Sequence, residues 1–164
     1  MADGQLEIRP ASADDHPWIV RRHGALYAAE YGWDQSFEAL VEEIVTEFAA
    51  RGDHQRERAW IAEVDGERVG CVLCVRDDDV VARLRVLLVE PAARGTGVGS
   101  ALVAECIRFA RHAGYRRLDL WTNDVLVDAR RVYERAGFRL VDAESHRSFG
   151  QELVGQTWTL DLSP

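Results

Sequence analysis

The run Arg94-Gly95-Thr96-Gly97-Val98-Gly99 sits between two apolar segments, in the stretch "LLVEPAARGTGVGSALV" from Leu87 to Val103. Glycines at alternate positions let backbone N–H groups approach an anion closely, and a helix start adds a favourable dipole. Three of them cost backbone entropy, so a turn that merely opens a helix is the weaker explanation. The chemistry on offer is the cradling of a phosphate-bearing ligand. Two common phosphate loops do not fit. A Walker-type loop needs a lysine followed by Ser or Thr, and the chain contains no lysine. A dinucleotide fingerprint needs G-x-G-x-x-G, and Ser100 stands where its third glycine belongs.

Other residues could do chemistry around that loop. Arg83 and Arg85 alternate with Leu84 and Val86 on the strand leading into it, and so share one face. Two readings stay open: they solvate an exposed strand face, or they receive a carboxylate in a guanidinium fork. His23 and Tyr27 stand one helical turn apart and Tyr31 continues their face, as the wall of a cleft or the polar edge of a core. Cys71-x-x-Cys74 resembles half of a metal site but has no second pair, and residues three apart on a strand point to opposite faces. No metal site is expected. Trp121, at a strand end, could stack on a cofactor, with a place in the core as the safer expectation.

Alternating strands and helices must position these groups. Leu6–Arg9 reads as a strand, and Asp14 or Asp15 can cap a helix with Pro17 in its first turn, running to about Tyr31. Gly24 inside it costs about 1 kcal/mol against Ala, which predicts a bend or break. Phe37, Leu40, Val41, Ile44, Val45 and Phe48 keep helical spacing, and Gly52 follows. Asp65-Gly66 between β-rich runs predicts a hairpin with a type I′ turn. A strand from Val80 to Val89 enters the glycine loop. Leu102, Cys106, Phe109 and Ala113 line one face of the next helix, which Gly114 ends. The strand "RRLDLW", a short helix from Ala129 to Ala136 closed by Gly137, and strands near Phe138–Ala143 and Gln156–Leu162 complete the order. The segment Asn123–Val125 reads as loop, with Asn123 capping the short helix.

The whole chain bounds the answer. Its 164 residues, 47% hydrophobic, suffice for one well-filled core, and residues 1–164 are read as one domain. A net charge of −8 lacks the basic stripe of a nucleic-acid binder. No window has the length and apolarity of a transmembrane helix, and the first residues lack a basic-then-apolar signal. Three cysteines make no disulfide framework, and a cytoplasmic location is expected.

The chain resembles the GNAT superfamily of acyl-CoA-dependent N-acyltransferases over nearly its whole length. Two motifs carry the resemblance: the glycine loop, and "LDLWTNDVLVDARRVYERAGF", which matches the superfamily's A-x-x-x-Y-E-x-x-G-F helix at Ala129, Tyr133, Glu134, Gly137 and Phe138. The sequence is also similar to the acetyltransferase half of chains that begin with a MarR-type winged helix, though no such DNA-binding segment is seen. The resemblance implies a mixed α/β fold, with a largely antiparallel central sheet flanked by helices. It implies acetyl-CoA as cofactor, its diphosphate on the N–H groups of Gly95, Thr96, Gly97, Val98, Gly99 and Ser100. A Cβ at Gly97 or Gly99 would hold the phosphate oxygens away, and Arg94 would buttress the loop. Leu87, Leu88 and Val89 would pair through their backbone with the pantetheine arm and polarise the thioester carbonyl. Asn123 is counted with these contacts, although the superfamily's contacting asparagine would fall nearer Leu126.

Tyr133 matches the superfamily's general acid, because the departing thiolate needs a proton and a phenol with pKa near ~10 can supply one. The first two helices roof the acceptor cleft in this superfamily, which implies that His23, Tyr27, Tyr31 and Trp33 line it. His146, between the last strands, marks another acceptor-binding place. His23, Glu30, Glu63, His146 or an ordered water are the candidates for the base. The expected function is N-acetyl transfer to the amine of a small molecule by direct attack in a ternary complex, since no Cys or Ser has the setting of a nucleophile. The alternative is a catalytically silent acyl-CoA sensor or partner module. A third reading, a nucleotide-binding domain, requires NAD or ATP binding that coenzyme A cannot displace. Expected partners are a small-molecule amine, without nucleic acid or membrane, and a homodimer is allowed for.

Overall fold

A computed structural model describes residues 4–163. Seven strands run in chain order as β1 (Leu6–Pro10), β2 (Arg58–Val64), β3 (Glu67–Arg76), β4 (Val81–Val89), β5 (Arg117–Asn123), β6 (Arg139–Ser148) and β7 (Gln151–Asp161). Four helices lie between them: α1 (His16–Tyr31), α2 (Gln35–Arg51), α3 (Val98–His112) and α4 (Val127–Ala136). Period-two alternation sorts the central strands onto two apolar faces. Trp60, Ala62, Val72 and Cys74 pack with Leu102, Cys106 and Tyr133 under α3 and α4. Their neighbours Ala59, Ile61, Cys71 and Leu73 pack with Ile19, Leu26, Val41 and Ile44 under α1 and α2. The two cysteines of Cys71-x-x-Cys74 thus belong to opposite cores.

The sheet order is β1-β2-β3-β4-β5-β7-β6, antiparallel except at β4–β5. That parallel pairing runs from Val81↔Arg117 to Leu84↔Leu120 and stops. Beyond it, β4 follows β3 while β5 follows β7, and a gap opens between Arg85–Val89 and Trp121–Asn123. No helix of the described residues is long and apolar enough to cross a membrane.

Glycine and turn signals place most boundaries. Asp65 and Gly66 have φ of 54° and 80°, as a type I′ turn requires, and Gly52 and Gly137 close α2 and α4 in the left-handed region. Three expectations need correction. First, α1 runs unbroken through Gly24, because Glu38 of α2 packs where a Cβ would stand. Second, Asp15 precedes α1 without capping it through its side chain; its carboxylate turns to Arg9 and Arg68 instead. Third, β6 and β7 are longer than expected and meet at Phe149-Gly150, with φ of 56° and 78°. Polar, exposed β6 residues carry little hydrophobic alternation, so their strand state comes from pairing with β7.

Candidate active site

Beyond β4, a short turn at Pro91–Ala93 leads into the glycine loop. Gly95 and Gly97 have φ of 76° and 90°, conformations that suit glycine alone among common residues. The first helical bond shown after the loop runs from the Ala101 amide to the Gly97 carbonyl at 3.0 Å. The amides of Val98, Gly99 and Ser100 therefore precede the ladder and are left for a ligand. Thr96 instead ties the turn together by donating its hydroxyl to the Ala93 carbonyl. A Cβ at Gly99 would meet Val132 and Val89 at 3.4 and 3.5 Å, ordinary contact distances, and Gly99 lines the cleft described next.

These amides face a cleft of about 590 Å³ whose wall includes Leu87, Leu88, Val89, Arg94, Gly95 and Ser100. Tyr27, Glu30 and Tyr31 close it from α1, and Asp128, Arg131 and Arg135 from α4. Arg94 forks onto the Glu30 carboxylate at 2.8 and 2.6 Å, which pins the loop to α1. A second groove of about 500 Å³ continues past Ser100 between α3 and α4, with Arg108, Arg111 and Arg135 on its walls. The arginines of these helices were missed in the sequence. Their i, i+3 and i, i+4 spacing is visible there, but which helix faces meet is not.

The β4–β5 gap holds a smaller pocket of about 120 Å³, which shares Tyr27, Leu87 and Leu126 with the cleft. His23, Trp33, Phe37, Arg83, Arg85, Asn123, Tyr133 and Phe149 line it as well. Of the residues expected around an acceptor, Tyr31 lies instead on the larger cleft and His146 stands outside the pocket lining on β6. A β-bulge shapes this wall: Cys71 pairs with Leu88 but Leu73 with Arg85, so Val86 and Leu87 together oppose Val72. Val86 adopts φ 49°, an outlier for a β-branched residue, and its carbonyl accepts from the Cys71 thiol at 3.3 Å. The bulge lets consecutive residues Arg85, Val86 and Leu87 reach one pocket.

Asn123 corrects two expectations. It is the last residue of β5, 2% exposed, and neither lines the cofactor-side cleft nor caps α4, whose N-cap is Leu126. Pairing with Gly155 extends β5 through it. Its Oδ1 accepts from His146 Nε2 at 2.8 Å, and the Ser148 hydroxyl donates to His146 Nδ1 at 2.9 Å. This chain holds the amide with its NH2 as the group left to donate. Trp121 is not a core residue either: it is 47% exposed, lies over Gly155, and sits 5.2 Å from the His146 ring.

Burial sets the electrostatics. His23 donates Nδ1–H to the Ile19 carbonyl at 2.7 Å, and its buried Nε2 has no partner. Desolvation pushes the pKa of this ring down to about 4. Arg83 bonds Asp77 at 3.1 Å, yet its Nε is buried and unpartnered. Arg85 has no ion pair among the described residues; burial first, and the charge of Arg83 second, lower its pKa. Tyr133 is buried, edge-on to Phe138, and burial pushes its phenol far above the ordinary tyrosine range, so the proton stays on. Two candidate bases are already engaged, Glu63 by Arg9 and Glu30 by Arg94. No cluster of three or more His, Cys, Asp or Glu suited to a metal occurs among the described residues.

A cleft with free helix-start amides beside a strand gap defines a class. Residues 14–138 match the acetyltransferase (GNAT) family, and the chain belongs to it. It is 27% identical over 138 residues to an uncharacterized N-acetyltransferase of Schizosaccharomyces pombe, covering 84% of this chain and 82% of that one. The N-acetylaspartate synthetase of Danio rerio is 37% identical over 83 residues, which span 50% of this chain and 29% of that protein. Among solved structures, a putative acetyltransferase from Salmonella typhimurium with its cofactor acetyl-CoA superposes with a TM-score of 0.78 at 19% identity, over 98% of this chain and 95% of that one. Acetyl-CoA is the family's cofactor. The residues present suit it: three unladdered amides and the guanidinium groups of Arg131 and Arg135 meet the needs of a diphosphate.

Proposed function

We propose that the protein acetylates the primary amine of a small molecule that also carries a carboxylate, by direct attack within a ternary complex. The observation that carries this reading is Arg85, a guanidinium without an ion pair in a pocket of about 120 Å³ that abuts the cofactor cleft. A half-buried cation of this kind favours an anion from outside, and a carboxylate fits its fork. The Asn123 amide adds a neutral donor on the same wall. The Danio rerio relative supports the chemistry by its name, since N-acetylaspartate is an acetylated amine bearing carboxylates.

When bound, acetyl-CoA supplies an activated thioester carbonyl and a thiolate leaving group. Backbone N–H groups of Leu87–Val89, on the edge of β4 that β5 has left, stabilise charge on the carbonyl oxygen. The Tyr133 hydroxyl holds a proton for the departing sulfur. The amides of Val98, Gly99 and Ser100 hold the diphosphate, while Arg108 and Arg111 offer charge to the remaining phosphate. A covalent acyl-enzyme has no support: the three cysteines are buried and burial raises the thiols of Cys71 and Cys106. Ser148, His146 and Asn123 form a hydrogen-bonded chain, but Ser148 lines neither cavity, and the chain orients Asn123.

The test is thiol release from acetyl-CoA across a panel of L-amino acids, their amides and polyamines. Acids should exceed their amides in kcat/KM, and Arg85→Ala should erase that difference. Equal values for acid and amide, or a preference for polyamines, would overturn the carboxylate assignment. Acetyl-CoA binding without thiol release for any amine would mark a silent acyl-CoA module instead.

A further inference from the structure

The nitrogen of His23 left without a partner points to a second role on the acceptor side. A carbonyl oxygen only accepts, so the 2.7 Å contact between Nδ1 and the Ile19 carbonyl fixes the proton on Nδ1. Nε2 is then a bare lone pair, buried and outside strict hydrogen-bond geometry with any described residue, although the Val86 carbonyl also faces the ring. Buried polar atoms in this state are rare in folded proteins. A structural role does not account for it. The Ile19 carbonyl already serves the i→i−4 ladder of α1, so the ring's bond to it is redundant. A phenylalanine would fill the same space without stranding a nitrogen.

The ring is also held in place. It stacks on Tyr27 with centroids 5.8 Å apart at 16°, and Phe37 lies 6.1 Å away. It lines the acceptor pocket together with Arg85 and Tyr133. We infer that His23 Nε2 accepts a hydrogen bond from the attacking amine and takes a proton from that nitrogen as the new C–N bond forms. This assignment rests on the amine acetylation proposed above.

The step balances for an amine that enters neutral. Its lone pair makes the C–N bond while the C–S pair leaves with sulfur. One N–H proton passes to Nε2, the Tyr133 proton passes to sulfur, and exchange with water returns a proton from the imidazolium to the phenolate. The low pKa of the ring keeps Nε2 unprotonated at neutral pH, so the lone pair is available before the amine arrives. The amine nitrogen becomes a strong acid only once it is bonded to the carbonyl carbon, and transfer to Nε2 belongs to that stage.

Two variants and one spectroscopic readout test this. His23→Phe keeps the shape and removes the lone pair; His23→Gln keeps an acceptor oxygen that takes no proton. Both should bind acetyl-CoA like the parent in calorimetry. With the best acceptor of the amino-acid panel, His23→Phe should lose about 100-fold or more in kcat/KM, the range of a positioned proton acceptor, and His23→Gln should lose less. In protein labelled with 15N-histidine, the Nε2 resonance should be of the unprotonated type and should move when that amino acid is added. Parent-like turnover by His23→Phe, or an Nε2 resonance that the amino acid leaves unmoved, would overturn the assignment alone. Silence of the unsubstituted protein across the whole panel would overturn it together with amine acetylation.

Discussion

Two groups of charge in this molecule are built on opposite plans. Near the β1 edge, the side chain of Asp15, 1% exposed, takes Arg9 at 2.8 and 3.0 Å, Arg68 at 2.9 Å and the Ser12 amide at 2.7 Å. Arg9 reaches on to Glu63 at 3.0 Å, and every partner is matched within the chain. In the β4–β5 gap, Arg85 has no ion pair, and the buried atoms Arg83 Nε and His23 Nε2 have no partner among the described residues. Closure marks a structural cluster, because a buried charge is tolerated when it is paired. Groups left open in a pocket mark a place that expects something from outside.

The contrast predicts that substitutions separate cleanly. The largest effect belongs to the open end: Tyr133→Phe should lower kcat about 10²–10⁴-fold with acetyl-CoA affinity kept, as read by steady-state kinetics beside calorimetry. Parent-like turnover would make the phenol structural. At the closed end, Asp15→Ala leaves Arg68 without its ion pair and Arg9 with Glu63 alone, and should cost about 1–3 kcal/mol of stability in a denaturant titration, with KM for the acceptor unchanged. A shift in KM there would blur the division.

Acid should dissect the two ends by stability. The folded-state pKa of His23 lies below its unfolded value, so its share of stability is present above about 6.5 and is lost as pH falls toward about 4. Glu90 acts on this ring by its charge, Tyr27 stacks on it, and Arg83, Arg85 and Tyr133 share its pocket. The loss should be about 3 kcal/mol, and His23→Phe should flatten the curve in that window. Arg9 holds the Asp15 carboxyl well below the usual carboxylate range, so the closed end should weaken only below about pH 4. A denaturation series across pH that shows one shared window would break the comparison.

Most of the fold was legible because it rests on local signals. Glycines at 52, 66, 97 and 137 mark ends and turns that need a left-handed backbone, and apolar spacing marks α2 and α3. The glycine loop was legible for the same reason. The acceptor side was not, since it depends on contacts between distant segments. Nothing near Val86 announces a bulge, because valine is a poor residue for φ 49°. The bond between Asn123 and His146 joins residues 23 apart on neighbouring parts of one sheet. Arg83 and Arg85 were visible as a pair, but their difference, one engaged by Asp77 and one without an ion pair, exists only in three dimensions.

The parting of β4 from β5 has a mechanical consequence. Below the pocket, the two halves of the sheet are joined at four registered pairs, Val81↔Arg117 to Leu84↔Leu120, like pages bound at a spine. Above it, Phe149 from the β6–β7 turn sits 4.9 Å from Trp33 and 5.1 Å from Phe37, and the Asp34 amide donates to the Phe149 carbonyl at 3.0 Å. Spine and clasp together set the width of the β4–β5 pocket. Its calibre is thus a property of the frame, and a bulkier acceptor would have to strain the sheet pairing or undo the aromatic clasp.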